Sequence, residues 1–306
     1  MRYQKQIAIL FFVLNSVLVH AQDFPYQYFS LFNPIINNPS FAAFDSDVRV
    51  DAGMYNLWAG GYKPLSDYVV SFSLSPDFKR QKRSSGYDTR IGLGGVFLKE
   101  KIGPFTHGIY QLLYAYHIPV NKNTYLSLGI CGSVETMAID INSLAPLQSS
   151  DPRLIAGDNN SVLIDGGFGA AFHGENYILS LSALNLASGD FTFKNSTSEK
   201  ISNYRKFHFA ANYNLQISPN TRFQPTVAFR NSMIKTFNFD SSLAFEIKTF
   251  SIGAGYRSEN SVFVFTRIPY KDFYFTYHSE NPLGSNHMIG NGHTFTFGWR
   301  LGTNFR

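Results

Sequence analysis

Near the C-terminus of the chain, His278, His287 and His293 fall close together. Histidine is the side chain most often used to move protons or bind zinc near neutral pH. Their spacing matches no zinc signature, so they read as polar loop residues. Gly92-Leu93-Gly94-Gly95 has the glycine density of a phosphate loop, but no helical pattern follows it to supply an anion-binding terminus. His208 and Ser242 lie on polar faces, without a neighbouring orienting group that would make a hydrolytic pair. Cys131 is the only cysteine and cannot make an internal disulfide; in Leu126-Ser127-Leu128-Gly129-Ile130-Cys131 it reads as a small wall residue. The expectation is therefore no catalysis, no cofactor and no metal. Arg49, Asp51, Asp165, Asp240, Glu246, Arg257 and Arg300 also occupy polar faces. They could line a pore, but pairing across the lumen, which would hold a narrow barrel closed, is the stronger expectation, because an isolated enclosed charge is costly.

The elements that must position these residues are strands. In Thr294 to Gly302 one face carries Phe295, Phe297, Trp299 and Leu301 and the other Thr294, Thr296, Gly298 and Arg300, a period of two. Similar stretches predict about fourteen antiparallel strands, near 48–57, 67–75, 89–99, 107–117, 123–135, 162–173, 176–185, 203–215, 221–230, 237–247, 249–258, 261–268, 271–280 and 292–302. Two of them resist a clean reading. Val262, Phe263, Val264 and Phe265 run together, so the faces of 261–268 are ambiguous. Pro225 removes a ladder donor that a closed barrel needs, which predicts a bulge or a strand end there.

Arg2 and Lys5, the apolar run Ile7 to Val19 and the site Val19-His20-Ala21 read as a secretory leader over residues 1–21. No other stretch has the roughly 20 apolar residues of a membrane-spanning helix. Charged residues are 15% of the chain and aromatics 16%, with 30 Phe and 18 Tyr. That is too little charge for a soluble surface, normally about 25%. A lipid-facing band flanked by aromatic girdles needs none. The fold class expected is all-β, a transmembrane β-barrel over 48–306 in a bacterial outer membrane. The net charge of +5 drops by two with the leader, too weak a balance to argue for nucleic acid.

Connections test the count. With both termini periplasmic, the long ones, 136–161, 186–202 and 281–291, lie outside, and short ones such as 118–122, 174–175 and 216–220 lie inside. Pro76 to Asp88, with Lys79, Arg80, Lys82 and Arg83, is a long exception that reads as a solvated charge run. Residues 22–47 stand apart. Their aromatics and two Asn-Pro signals resist both helix and strand, and covering so many aromatics predicts a plug or clasp in the lumen or at its mouth.

This segment carries a family resemblance. Gln27-Tyr28, Phe32-Asn33-Pro34 and Asn38-Pro39-Ser40-Phe41-Ala42 are similar to the opening of the PorP/SprF outer-membrane proteins of Bacteroidetes. Tyr55-Asn56-Leu57-Trp58 resembles the family's Trp motif, and Gly92-Leu93-Gly94-Gly95, Lys101-Ile102-Gly103-Pro104 and Tyr114-Ala115-Tyr116 resemble its glycine-rich strand, turn and following strand. The resemblance implies an outer-membrane barrel of the type IX secretion system that assists export or surface attachment of a secreted partner such as a gliding adhesin. Implied partners are type IX components or an adhesin with a C-terminal targeting domain, besides outer-membrane lipid. Gln27, Tyr28, Phe32, Asn33, Pro34, Asn38, Pro39 and Trp58 become the candidate binding residues. The alternative is a porin or hydrophobic-solute channel.

Overall fold

The structure is a computed structural model that describes residues 32–59, 62–76, 89–140, 160–193, 201–231, 237–258, 260–283 and 290–303. Among them the alternating stretches form β1 (Ser46–Ala59), β2 (Tyr62–Leu74), β3 (Arg90–Ile102), β4 (Phe105–Asn121), β5 (Thr124–Ile139), β6 (Asn160–Gly174) and β7 (Tyr177–Leu184). The short pair β8 (Asp190–Phe191) and β9 (Ile201–Ser202) precedes β10 (Lys206–Tyr213), and β11 (Leu215–Ser218) precedes β12 (Thr221–Asn231). The wall continues through β13 (Phe237–Ile247), β14 (Phe250–Arg257), β15 (Ser261–Tyr270), β16 (Phe273–Pro282) and β17 (Asn291–Thr303). Neighbours pair antiparallel, β10 pairs with β12, and β1 pairs with β17, which closes the ring. The result is a 14-strand antiparallel barrel. Each wall strand answers to one expected stretch, with its ends moved by a few residues; β8, β9 and β11 were not expected.

Closure satisfies the backbone in lipid without a free edge. Outward positions carry apolar residues, among them Phe97, Leu112, Ile130, Leu243 and Phe297, all exposed, while the alternate inward positions are mostly small or polar, with a few larger apolar residues such as Val69 and Ile109 buried. The ambiguous strand is settled by its neighbour. Phe263 and Phe265 point inward and Val262 and Val264 outward, because Gly255 and Gly253 stand directly opposite on β14. A Cβ at either glycine would overlap the facing phenyl ring, so the glycines make the room that lets large rings occupy the inner face.

Pro225 pairs in regular register with Leu243 on β13. On its other side the β10 ladder stops at Thr226 and the β11 ladder begins at Phe223. The missing N–H falls where the neighbouring strand is interrupted, so neither a bulge nor a strand end in β12 is needed. The chain enters β1 and leaves β17 at one end of the barrel, where the tight connections after β4, β6, β13 and β15 also lie. By the usual rule this end is periplasmic. The basic run at 79–83 lies outside the described residues.

Candidate functional site

The lumen is not empty. Each Asn-Pro pair opens a short 3-10 turn with proline in its first turn, Pro34–Ile36 and Pro39–Phe41, the position where its missing N–H costs nothing. The Asn38 carboxamide oxygen accepts from the Ser40 amide at 3.0 Å and from the Ser40 hydroxyl at 2.7 Å, which caps the second turn. Phe32, Ile35, Ile36 and Phe41 are buried; covering each such side chain contributes about 1.5–3 kcal/mol.

The wall is shaped to receive this segment. Cβ atoms at Gly129 and Gly169 would collide with the backbone of Pro39 and Ser40 and with the Asn38 side chain, and one at Gly92 with the Ala42 carbonyl. The glycine-rich stretch that resembles a phosphate loop is thus a thin place in the wall. Polar anchors complete the seat. Asn33 Nδ2 donates to Ser71 Oγ at 2.6 Å, Asn38 Nδ2 to the Leu181 carbonyl at 3.1 Å, and Ser182 Oγ to the Asn37 carbonyl at 2.6 Å. His117 Nε2 lies 2.9 Å from the Ala42 carbonyl and its Nδ1 2.6 Å from Ser127 Oγ, which lies 3.0 Å from His173 Nε2. A carbonyl only accepts, so Nε2 of His117 carries the hydrogen, Nδ1 accepts from Ser127, and Ser127 accepts from His173.

Charged groups gather at the periplasmic end of the seat. Arg49 Nη2 donates to the Phe32 carbonyl at 2.6 Å and Nε to Asp51 at 2.6 Å, and Nη1 lies 3.2 Å from Asp45. The Tyr274 hydroxyl donates to Asp51. Arg300 reaches Asp45 at 3.3 Å. Burial by itself would raise the Asp45 carboxyl, but Arg300 and Arg49, helped by the Ser46 hydroxyl, hold it down at about 2. Elsewhere Arg230 meets Asp240 at 3.1 Å, Arg257 meets Glu280 at 3.6 Å, and Arg222 meets Glu246 at 3.7 Å. The expected pairing across the lumen is not found among these pairs: the charges meet along one strand, between adjacent strands, across one intervening strand as in Arg257–Glu280, or with the N-terminal segment, which stands between the walls. Asp165 instead accepts from the amides of Gly166 and Ala187.

Of the candidate residues, Phe32, Asn33, Pro34, Asn38 and Pro39 are brought together in the lumen. Trp58 is set apart, near the extracellular end of β1 opposite Asn291, and Gln27 and Tyr28 lie outside the described residues. His278 faces inward, within 6.3 Å of the Phe32 ring, whereas His293 belongs to the other face of the wall and meets Tyr277 at 2.9 Å; His287 is outside the described residues. Among the described residues no group of three or more His, Cys, Asp or Glu is arranged to hold a metal. His208 and Ser242 both line a cavity of about 440 Å³ between the segment and the wall formed by β10 and β12–β15. Sequence reasoning missed Asp45, His117, Ser127, His173, Arg267 and Tyr274. Their one signal was a place on, or just before, a polar strand face.

A closed wall with an apolar outside and a polar, partly filled inside defines an outer-membrane β-barrel. The chain belongs to the PorP/SprF family of type IX secretion system membrane proteins, whose model matches residues 19–299. Among solved structures it is similar to the CymD monoaromatic hydrocarbon channel, at 10% identity over 91% of this chain and 93% of that one, with a TM-score of 0.51. Omp33 of Acinetobacter baumannii is similar at 7% identity over 85% and 100%, with a TM-score of 0.48. These likenesses concern the fold alone. Among curated proteins none matches the sequence.

Proposed function

We propose that this type IX secretion barrel assists export or surface attachment of a secreted partner, such as a gliding adhesin, by binding the partner or the secretion machinery. The observation that carries the reading is the seat of the family's own signature. Phe32, Asn33, Asn38 and Pro39 are buried inside the wall with Pro34 half-buried between them, and Asn38-Pro39 lies against glycines that leave no room for side chains. A chain that devotes its signature residues to filling its lumen is suited to holding and presenting rather than to free passage. The surfaces left for a partner are the extracellular connections and the remaining cavity.

A crosslinked pulldown from native membranes, read by mass spectrometry, tests this. Enrichment of a type IX component or of one secreted protein supports it, and a deletion that leaves the secretome and surface adhesins unchanged defeats it. A second reading, a channel, draws on the cavity beside the segment. Its lining is mixed, with Asn212, Gln224, Thr226 and Ser242 facing Ile35, Phe44 and Phe263, and suits a solute with both polar and apolar parts. Conductance of liposomes containing the purified protein alone is its test, and a sealed barrel would dismiss it.

A further inference from the structure

The charges that face the luminal cavity fall into groups, and one group does not balance. Arg230 and Arg257 stand with Asp240 and Glu280, and Arg222 stands with Glu246. At the periplasmic end three guanidiniums, Arg49, Arg267 and Arg300, share two carboxylates, Asp45 and Asp51. Asp51 is engaged by Arg49 and by the Tyr274 hydroxyl, and Asp45 is divided between Arg49 and Arg300. Nothing negative is left for Arg267. Its Nε donates to Thr276 Oγ1 at 3.3 Å and its Nη2 to the Phe32 carbonyl at 3.4 Å. Among the described residues no carboxylate lies within ion-pair distance of it. Arg300 has a matching deficit, because its Nε is buried without a hydrogen-bond partner.

These two guanidiniums are held in place and turned to the cavity. Both lie over the Tyr274 ring, Arg267 at 4.9 Å and Arg300 at 4.6 Å from its centroid, and Arg267 also lies 5.3 Å from the Phe32 centroid. Stacking on aromatic faces fixes the planes and leaves the N–H edges for a ligand. Arg267 and Arg300 both line the cavity of about 440 Å³. The remaining cavity carboxylate, Glu175, sits in the β6–β7 turn and is engaged by Asn123 at 2.7 Å. Enclosed like charges repel strongly unless compensated.

We infer that the lumen holds a binding site for one carboxylate group, gripped by Arg267 and Arg300 beside Tyr274. The planar fork of a carboxylate matches guanidinium edges. One negative charge restores the balance of the group, which favours a monoanion over a dianionic phosphate. The carboxylate can come from a small free acid or from a polypeptide. The inference stands apart from the secretion role, since either source fits any use of the barrel.

The test is calorimetric titration of the full-length protein in micelles at constant ionic strength, with acetate as the probe and neutral acetamide as the control. Saturable heat with acetate and none with acetamide is expected. Arg267→Gln should weaken acetate at least tenfold, and Arg267→Lys, which keeps the charge but loses the fork, should weaken it several-fold. Arg222→Gln, which removes a paired charge elsewhere on the inner wall, should leave it unchanged. Heat-modifiable migration on gels shows that each variant is folded. A short peptide with a free C-terminal carboxylate that competes with acetate, where its C-terminal amide does not, assigns the site to polypeptides; acetate binding without such competition assigns it to small acids. Absence of saturable acetate binding, equal binding of acetamide, or equal loss in Arg222→Gln and Arg267→Gln overturns the inference.

Discussion

The carboxamide of Asn38 occupies the space that a Cβ on Gly169 would fill. From there its Nδ2 donates to the Leu181 carbonyl at 3.1 Å and the Ala170 carbonyl at 3.3 Å, across the β6–β7 ladder. A residue of the N-terminal signature and a bare place in the wall are thus two halves of one contact. Gly169→Val should expel Asn38 and loosen residues 32–45 while the outer wall stays closed. The expected cost is about 2 kcal/mol, in the range of overpacked cores. Limited proteolysis checks it, with new cleavage in 32–45 of the variant and none in the parent.

Asn38→Ala removes the cap on Ser40 and both donors to the wall. A lost cap costs about 1 kcal/mol and unsatisfied buried groups roughly 1–3 kcal/mol more. A lower urea midpoint in micelles, with heat-modifiable migration retained, is the expected outcome.

The fold was largely legible because a membrane wall obeys a strict period of two, as in Phe295, Phe297, Trp299 and Leu301 against Thr294, Thr296 and Gly298. It was not legible where a second rule intervened. Phe263 and Phe265 turn inward because Gly253 and Gly255 lie opposite, a relation that needs the register between two strands. The candidate site was legible in half. Asn33-Pro34 and Asn38-Pro39 announce an irregular buried segment, but its partners His117, Ser127 and His173 converge only when three strands are aligned. Nor does spacing along the chain reveal that Arg267, among the described residues, faces the lumen without a carboxylate partner.

Leu112 on β4 is 70% exposed on the outer face, near the middle of its strand. Leu112→Arg should lower the stability of the barrel in bilayers by about 2–4 kcal/mol, read as a reduced folded fraction in vesicles. The same change at an extracellular strand end, such as Ile102→Arg, should cost less than about 1 kcal/mol.

Asp45 gives the seat a dependence on pH. Its carboxyl is held at about 2 against an ordinary value of 3.8, so the folded state favours the ionised form. A lowered carboxyl contributes stability in full above the ordinary value, and that stability is lost as pH falls from about 4 through about 2. The contribution is at most about 2.5 kcal/mol. Proteolytic release of residues 32–45 by an acid-active protease should rise from pH 5 to pH 2 in the parent. Asp45→Asn should be more readily cut at pH 5 and change less between the two.

The proposed role is binding within the type IX system rather than conduction. Photo-crosslinkers placed between β5 and β6, between β7 and β10, and between β16 and β17 of the protein in living cells test it most directly. The expected result is one dominant adduct, a type IX component or a secreted protein carrying a C-terminal targeting domain, missing from an unrelated barrel labelled in the same way. Adducts no different from those of that control, together with ion conductance by the purified protein in liposomes, would contradict that role.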